Sequence, residues 1–109
     1  MLAEDSLAEL KLICGDAHEM PEGGYVFVFL PGLKIYTGNQ TISLDALLCL
    51  QAKDGYPTRL FLSQQVPGRG NNWTQHRILD KAWHTWSWNG VGSDLRPAQV
   101  LAEHLRALR

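Results

Sequence analysis

Two cysteines, Cys14 and Cys49, are the strongest nucleophiles that this sequence offers. A thiolate is a natural carrier of an acyl group, so either residue would suit acyl transfer. Cys49 stands in the apolar run Leu47–Leu50, where a free cysteine behaves as a small buried hydrophobe. Cys14 lies close to Asp16, whose carboxylate raises the pKa of a thiol and disfavours the thiolate. We therefore predict structural roles for both cysteines.

One further pair could supply a nucleophile and its base. Ser87 follows His84 by three residues, and a serine needs such a base to attack a carbonyl carbon. His84 is also a candidate general acid or base. A metal site would need further ligands near His76 and His84, and no cysteine or acidic cluster provides them. The sequence predicts neither a metal nor a cofactor.

All four tryptophans fall between Val66 and Leu95. Clustered aromatic residues usually fill a core, because each buries a large area, and we expect this of Trp83 and Trp86. Tryptophan is also a favoured anchor at protein interfaces, and we expect Trp73 and Trp88 to be more open. The candidate partner-binding residues are Trp73, Trp86, Trp88, Asn72 and Gly90.

The composition of the 109 residues is that of an ordinary globular protein, with 45% apolar and 19% charged residues, and we predict a single domain over 1–109. The net charge of −1 gives no sign of the basic face that nucleic acid requires. The longest apolar run, Tyr25–Leu30, is too short to cross a membrane. The first five residues do not resemble a secretory signal, and we expect a cytoplasmic protein with reduced thiols.

The apolar pattern predicts an N-terminal helix, with Glu4 and Asp5 in its first turn, and a central strand at Tyr25–Leu30 that Pro31-Gly32 ends or bulges. The end of this helix is left open, since residues 12–19 are also compatible with an extended strand. The segment Tyr36–Ser43 looks like a turn. Further strands are predicted at Leu44–Leu50 and Leu60–Leu62.

Beyond the strands, the segment Val66–Leu95 has no clear period, and we expect short helical turns in it. A final helix carries Pro97 in its first turn, with Ser93 or Asp94 as its cap. Its apolar stripe is predicted to be Leu101, Leu105 and Leu108, and His104 is expected to face solvent.

Three stretches resemble segments of the ubiquitin-conjugating-enzyme (UBC) superfamily. Tyr25–Gly32 looks like its second strand and exit turn, and Asp54–Pro57 followed by Arg59–Leu62 is similar to the Tyr-Pro motif before its fourth strand. Trp83–Val91 followed by Arg96–Leu105 looks like its tryptophan-bearing segment and the helix after the active site. The set is closest to the prokaryotic UBC-like family E. The resemblance implies an α+β, UBC-like fold: an N-terminal helix, an antiparallel four-strand meander, a long Trp-rich irregular segment and a C-terminal helix.

The resemblance fails at the catalytic motif. Active conjugating enzymes carry His-Pro-Asn and then a cysteine in the region that corresponds to Gln64–Leu95, but this region has Asn71 and Asn72 without that motif or any cysteine. The family therefore suggests an adaptor in a bacterial ubiquitin-like conjugation pathway with an anti-phage or stress role. The implied partners are a ubiquitin-like or multi-ubiquitin-like protein, an adenylating activating enzyme and a JAB-type peptidase.

Two alternatives stay open at this point. One is a conjugating enzyme with a displaced nucleophile, which would be Cys14, Cys49 or the Ser87/His84 pair. The other is a Trp-lined module that binds a small molecule or a glycan.

Overall fold

The computed structural model describes residues 3–88 and 90–108 as an α+β fold with one antiparallel sheet. Its strands lie in the spatial order β1-β2-β3-β4-β6-β5. The elements in chain order are α1 (Glu4–Ile13), β1 (His18–Glu22), β2 (Tyr25–Thr37), β3 (Gln40–Cys49), β4 (Arg59–Leu62), β5 (Thr74–Ile78), β6 (Lys81–Thr85) and α2 (Pro97–Arg106). In the described part of the chain, neither helix is long and apolar enough to cross a membrane.

The predicted four-strand meander exists as β1–β4, but its central hairpin is longer than expected. The turn predicted within Tyr36–Ser43 is present but shorter, because β2 and β3 pair down to Thr37 and Gln40. The turn is the two-residue Gly38-Asn39 connection, with Gly38 at φ 63°, and glycine readily takes a positive φ there. The Pro31-Gly32 step is the predicted bulge within β2.

A second hairpin, β5–β6, lies inside the Trp-rich segment and brings the sheet to six strands. We expected short helical turns here, and that prediction was wrong. The connecting residues Leu79 and Asp80 have φ values of 53° and 62°, the geometry of a tight hairpin turn. Such turns usually carry Asn or Gly, and neither is present here, so the sequence gives no signal for the hairpin.

The sheet buries apolar side chains on both of its faces. Alternate residues along each strand point to opposite faces, so one set packs under the helices and the other does not. The strand residues on the helix side include Val28, Leu30, Ala46, Leu48, Leu60 and Leu62, and the helices add Leu10, Val100 and Leu101. The second set, which we call the aromatic cluster, comprises Phe27, Leu47, Cys49, Phe61, Ile78 and Trp83, with Tyr25, Phe29 and Leu79 at its margin.

The aromatic cluster is buried because the sheet rolls up on itself. In a flat sheet β2 and β6 would lie about 14 Å apart, three strand spacings, but the rings of Phe29 and Trp83 meet edge to face at 6.2 Å. At the open edge, Glu22 Oε2 of β1 accepts a hydrogen bond of 2.6 Å from the Leu79 N–H of the β5–β6 turn. This bond joins the two ends of the strand order across the cluster.

Helix α2 closes the opposite face of the sheet. Its N-cap is Arg96 rather than the predicted Ser93 or Asp94, and the Arg96 guanidinium pairs with Glu9 of α1 at 2.9 Å. The expectation of a solvated His104 was also wrong, since this residue is 1% exposed. Position 104 lies one helical turn from Val100, Leu101 and Leu108, so it falls on the buried face.

The buried His104 connects α2 to the start of β4. Its Nε2 lies 2.9 Å from the Thr58 hydroxyl, which donates its own proton to the Val91 carbonyl oxygen at 2.8 Å. Thr58 Oγ1 is therefore the acceptor for an Nε2–H of the neutral ring. Burial lowers the pKa of His104 to about 4, and the positive charge of Arg59 adds to this effect.

This depressed pKa predicts a loss of stability in mild acid. The unfolded chain takes up the proton near pH 6.5 and the folded chain only near pH 4, so the stabilisation is present above pH 6.5 and is lost as the pH falls towards 4. The free energy of unfolding should drop by about 3 kcal/mol over this window from this residue alone. Urea titrations at several pH values measure it.

The variant His104→Leu isolates the effect, because its unfolding free energy should lack this component of the pH dependence. Thr58→Val is the control: it removes the hydrogen-bond partner but leaves the imidazole buried, so the pH dependence should persist. If the unfolding free energy fell equally with pH in the wild type and in His104→Leu, His104 would not be the group responsible.

Candidate functional site

Cys14 lies at the C-terminal end of α1 and is closed off from solvent. Its side chain is 7% exposed, and its Sγ–H donates to the Pro31 carbonyl oxygen at 3.0 Å. Burial is the main effect and raises the pKa of the thiol. A backbone hydrogen bond at Asp16 lowers this pKa, and the carboxylates of Asp16 and Asp45 raise it. The thiol is protonated at neutral pH.

Cys49 is fully buried in the aromatic cluster. Its Sγ–H donates to the Gln51 carbonyl oxygen at 3.3 Å. Burial raises the pKa of this thiol too, and it outweighs the lowering effect of the cations of Lys53 and Arg59. Both cysteines thus lack the exposure and the thiolate character that a nucleophile needs.

Ser87 and His84 form no hydrogen bond to each other in the described residues. The Ser87 N–H donates to the Asn71 carbonyl oxygen at 2.9 Å, just beyond the end of β6. His84 is half-buried in β6 opposite Leu62, and its Nδ1 is buried without a partner in residues 3–88 and 90–108. An odd spacing along extended chain sends two side chains to opposite faces, which disfavours the pair as a nucleophile and base.

Two of the four tryptophans, Trp73 and Trp86, pack together on the helix side of the sheet. The rings of Trp73 and Trp86 lie 5.3 Å apart, and Trp86 also meets the ring of His104 edge to face at 6.3 Å. Trp86 is 2% exposed and Trp83 3%, which confirms the prediction that both fill the core. Trp73 is half-buried, whereas Trp88 is 40% exposed.

The five candidate partner-binding residues therefore differ in their exposure. Trp86 is interior and unavailable to a partner, and Trp73 is half-buried. Asn72, Trp88 and Gly90 are exposed, and Asn72 and Gly90 hold positive φ values of 52° and 91°. We call the exposed group, together with Trp73 and the loop 65–70, the tryptophan surface.

A depression of about 400 Å³ lies on this surface between the loop 65–70 and Trp73. Trp73 Nε1–H donates to the Arg69 carbonyl oxygen at 2.8 Å, which ties the ring to the loop. Gly70, at φ 72°, permits the contact: a Cβ atom there would lie 2.9 Å from the indole. The depression thus has the loop 65–70 on one side and the indole of Trp73 on the other, which suits an apolar side chain of a polypeptide.

A set of charged residues outside the predicted candidates gathers near Asp54. The Oδ2 atom of Asp54 lies 3.3 Å from Arg59 Nη1, 3.5 Å from Lys53 Nζ and 3.9 Å from His76 Nδ1. Sequence reasoning missed this set, because its members look like ordinary surface charges and His76 joins them only through the fold. No group of three or more His, Cys, Asp or Glu residues suited to a metal ion occurs among the residues that the structure describes.

Comparisons of this chain with protein-family models, with curated proteins and with solved structures give no match.

Two glycine substitutions test the packing of Trp73. Gly70→Ala and Gly68→Ala both force alanine into a positive φ, of 72° and 71°, at a cost of about 1–2 kcal/mol each. Gly70→Ala also pushes a methyl group into the indole, whereas nothing lies within 4 Å of a Cβ at Gly68. We expect Gly70→Ala to lose more stability and to red-shift the tryptophan emission, with no such shift in Gly68→Ala. Identical spectra for the two variants would mean that Trp73 does not pack on the loop.

The buried thiols predict a slow reaction with Ellman's reagent. The native protein should release almost no thionitrobenzoate over minutes, and two equivalents should appear once urea unfolds it. Ser93→Cys places a thiol at an exposed position in the region where a conjugating enzyme has its cysteine, and this variant should react with one equivalent at once. Rapid reaction of the native wild type would show that Cys14 or Cys49 is accessible.

Proposed function

We propose that this chain is a non-catalytic UBC-like subunit of a bacterial ubiquitin-like conjugation pathway, which binds a ubiquitin-like protein or its activating enzyme. The order of elements supports the proposal: an N-terminal helix, an antiparallel meander, a tryptophan-bearing segment and a C-terminal helix follow one another as the sequence resemblance implies. The β5–β6 hairpin is an addition to that order.

The observation that carries the proposal is the burial of both thiols. A conjugating enzyme must expose a thiolate to receive an acyl group and pass it to an amine. Here Cys14 and Cys49 are 7% and 0% exposed, their pKa values are raised, and Gln64–Leu95 contains no cysteine. An adaptor role agrees with these properties, whereas thioester chemistry does not.

The tryptophan surface is the proposed docking site. Trp88 offers an exposed aromatic anchor, and the depression beside Trp73 offers a receptor for a side chain of the partner. Gly90, exposed and at positive φ, leaves room for a partner's backbone to come close. The further partners that the proposal includes are an adenylating enzyme and a JAB-type peptidase, in a cytoplasmic setting.

The proposal predicts a complex without a covalent bond between this chain and a recombinant ubiquitin-like protein of the source organism. Size-exclusion chromatography and calorimetry measure it. Trp88→Ala should weaken binding by about 2 kcal/mol, or roughly thirtyfold in Kd, because interface tryptophans commonly contribute this much.

Leu12→Ala is the matched control. Leu12 is 88% exposed on α1 and lies outside the tryptophan surface, so its loss should leave Kd unchanged. Failure to bind the ubiquitin-like protein or the activating enzyme at about 100 μM, a weak-affinity limit, would contradict the proposal. Tryptophan quenching by a glycan or small-molecule panel in place of protein binding would favour a ligand-binding module instead.

A further inference from the structure

A cleft of about 390 Å³ opens at one end of the aromatic cluster, on the sheet face away from the tryptophan surface. Its apolar lining comes from Tyr25, Phe27 and Ile78. Its charged lining comes from Lys53, Arg77 and Glu22. The cleft thus combines an apolar floor with two cations from separate parts of the chain.

The carboxylates near the cleft are already engaged. Glu22 Oε2 accepts the Leu79 N–H bond that closes the rolled sheet. Asp54 lies within ion-pair distance of Lys53 and of Arg59. Arg77 is exposed and forms no ion pair within residues 3–88 and 90–108.

The charge balance of this region is positive. The cations Lys53, Arg59 and Arg77 outnumber the carboxylates Asp54 and Glu22 by three to two. His76 adds no charge at neutral pH, because burial and then the positive charge of Arg59 lower its pKa. An anion in the cleft would balance the excess.

Arg59 lies on the same face of the sheet, where it pairs with Asp54 at 3.3 Å. It is 5% exposed, its guanidinium lies 4.1 Å from the ring centroid of Tyr56, and its Nε is buried with no partner among the described residues. Arg59 pairs with Cys49 across β4 and β3, and Cys49 pairs with Phe27 across β3 and β2. The backbones of Arg59 and Phe27 are therefore two strand spacings, or about 10 Å, apart. Asp54 offsets the charge of Arg59, so the excess positive charge at the cleft comes from Lys53 and Arg77.

We propose that the cleft binds a small organic anion, a carboxylate or a phosphate ester with an apolar body. The anionic group lies between Lys53 and Arg77, where charge-assisted hydrogen bonds form. The apolar body packs against the half-buried Tyr25, with the buried Phe27 and Ile78 closing the floor beneath it. This site lies on the opposite face from the tryptophan surface, and its occupation does not depend on the proposed adaptor role.

Titration of the ¹⁵N-labelled protein with phenyl phosphate, benzoate and inorganic phosphate tests the site. Phenyl phosphate should shift the amide signals of Tyr25, Lys53 and Arg77. It should bind about tenfold more tightly than inorganic phosphate, because its ring buries apolar area on the floor. Benzoate shifting the same signals would identify carboxylates as ligands as well, and shifts with phenyl phosphate alone would restrict the site to phosphate esters; either outcome supports the proposal.

Variants locate the anion. Arg77→Gln, at an exposed position, should weaken phenyl phosphate binding about tenfold without unfolding the protein, as expected for the loss of a charge-assisted contact. Lys53→Gln should do the same. Lys34→Gln is the control, since Lys34 is exposed on β2 about 30 Å along the strand from Tyr25. The proposal would be overturned if no amide signal shifted at about 10 mM ligand, which corresponds to an affinity weaker than millimolar. It would also be overturned if Lys34→Gln weakened phenyl phosphate binding as much as Arg77→Gln.

Discussion

The structure depends on one constraint: the sheet has apolar residues on both faces, but helices cover only one of them. The other face reaches burial because the strands roll until β2 and β6 bring Phe29 against Trp83. The Glu22–Leu79 hydrogen bond then closes the open edge. Without the roll, the aromatic cluster would expose a large apolar patch, which folded monomers avoid. The positions of the β5–β6 hairpin, of Cys49 and of the cleft all follow from this closure.

The roll also separates two surfaces of different character. On the helix side, Trp73 and Trp86 pack against each other and leave Trp88 at the surface. On the other side, Lys53 and Arg77 come together over an apolar floor, although they are far apart in the chain. The first surface suits a polypeptide with apolar side chains, and the second suits a small anion. Neither surface contains an exposed thiol.

Much of the fold could be predicted from local patterns. The apolar run at Tyr25–Leu30 is the start of β2, and Leu60–Leu62 falls within β4. Pro97 begins α2 as expected. Trp83, Trp86 and Cys49 are buried as their neighbouring apolar residues indicated. These features depend on composition within a few residues, where sequence patterns are most informative.

The rest depends on contacts between distant residues. The Leu79-Asp80 turn has no glycine or asparagine, so nothing local marks the hairpin that it closes. Burial of His104 could have been recognised from its spacing to Val100, Leu101 and Leu108, but a titratable side chain suggested the surface. The cations of the cleft, Lys53 and Arg77, are 24 positions apart and meet only in the rolled sheet. The burial of Trp83 and Trp86 was therefore predicted, whereas the grouping of charged residues at the cleft was missed.

The most direct test of the central claim, that this chain binds partners without carrying an acyl group, is intact-mass spectrometry. The protein is incubated with ATP, an adenylating activating enzyme and a ubiquitin-like protein of the source organism, without reductant. The account predicts that the mass of this chain stays unchanged while a noncovalent complex forms. A mass increase by one ubiquitin-like unit, reversed by dithiothreitol or hydroxylamine, would contradict it.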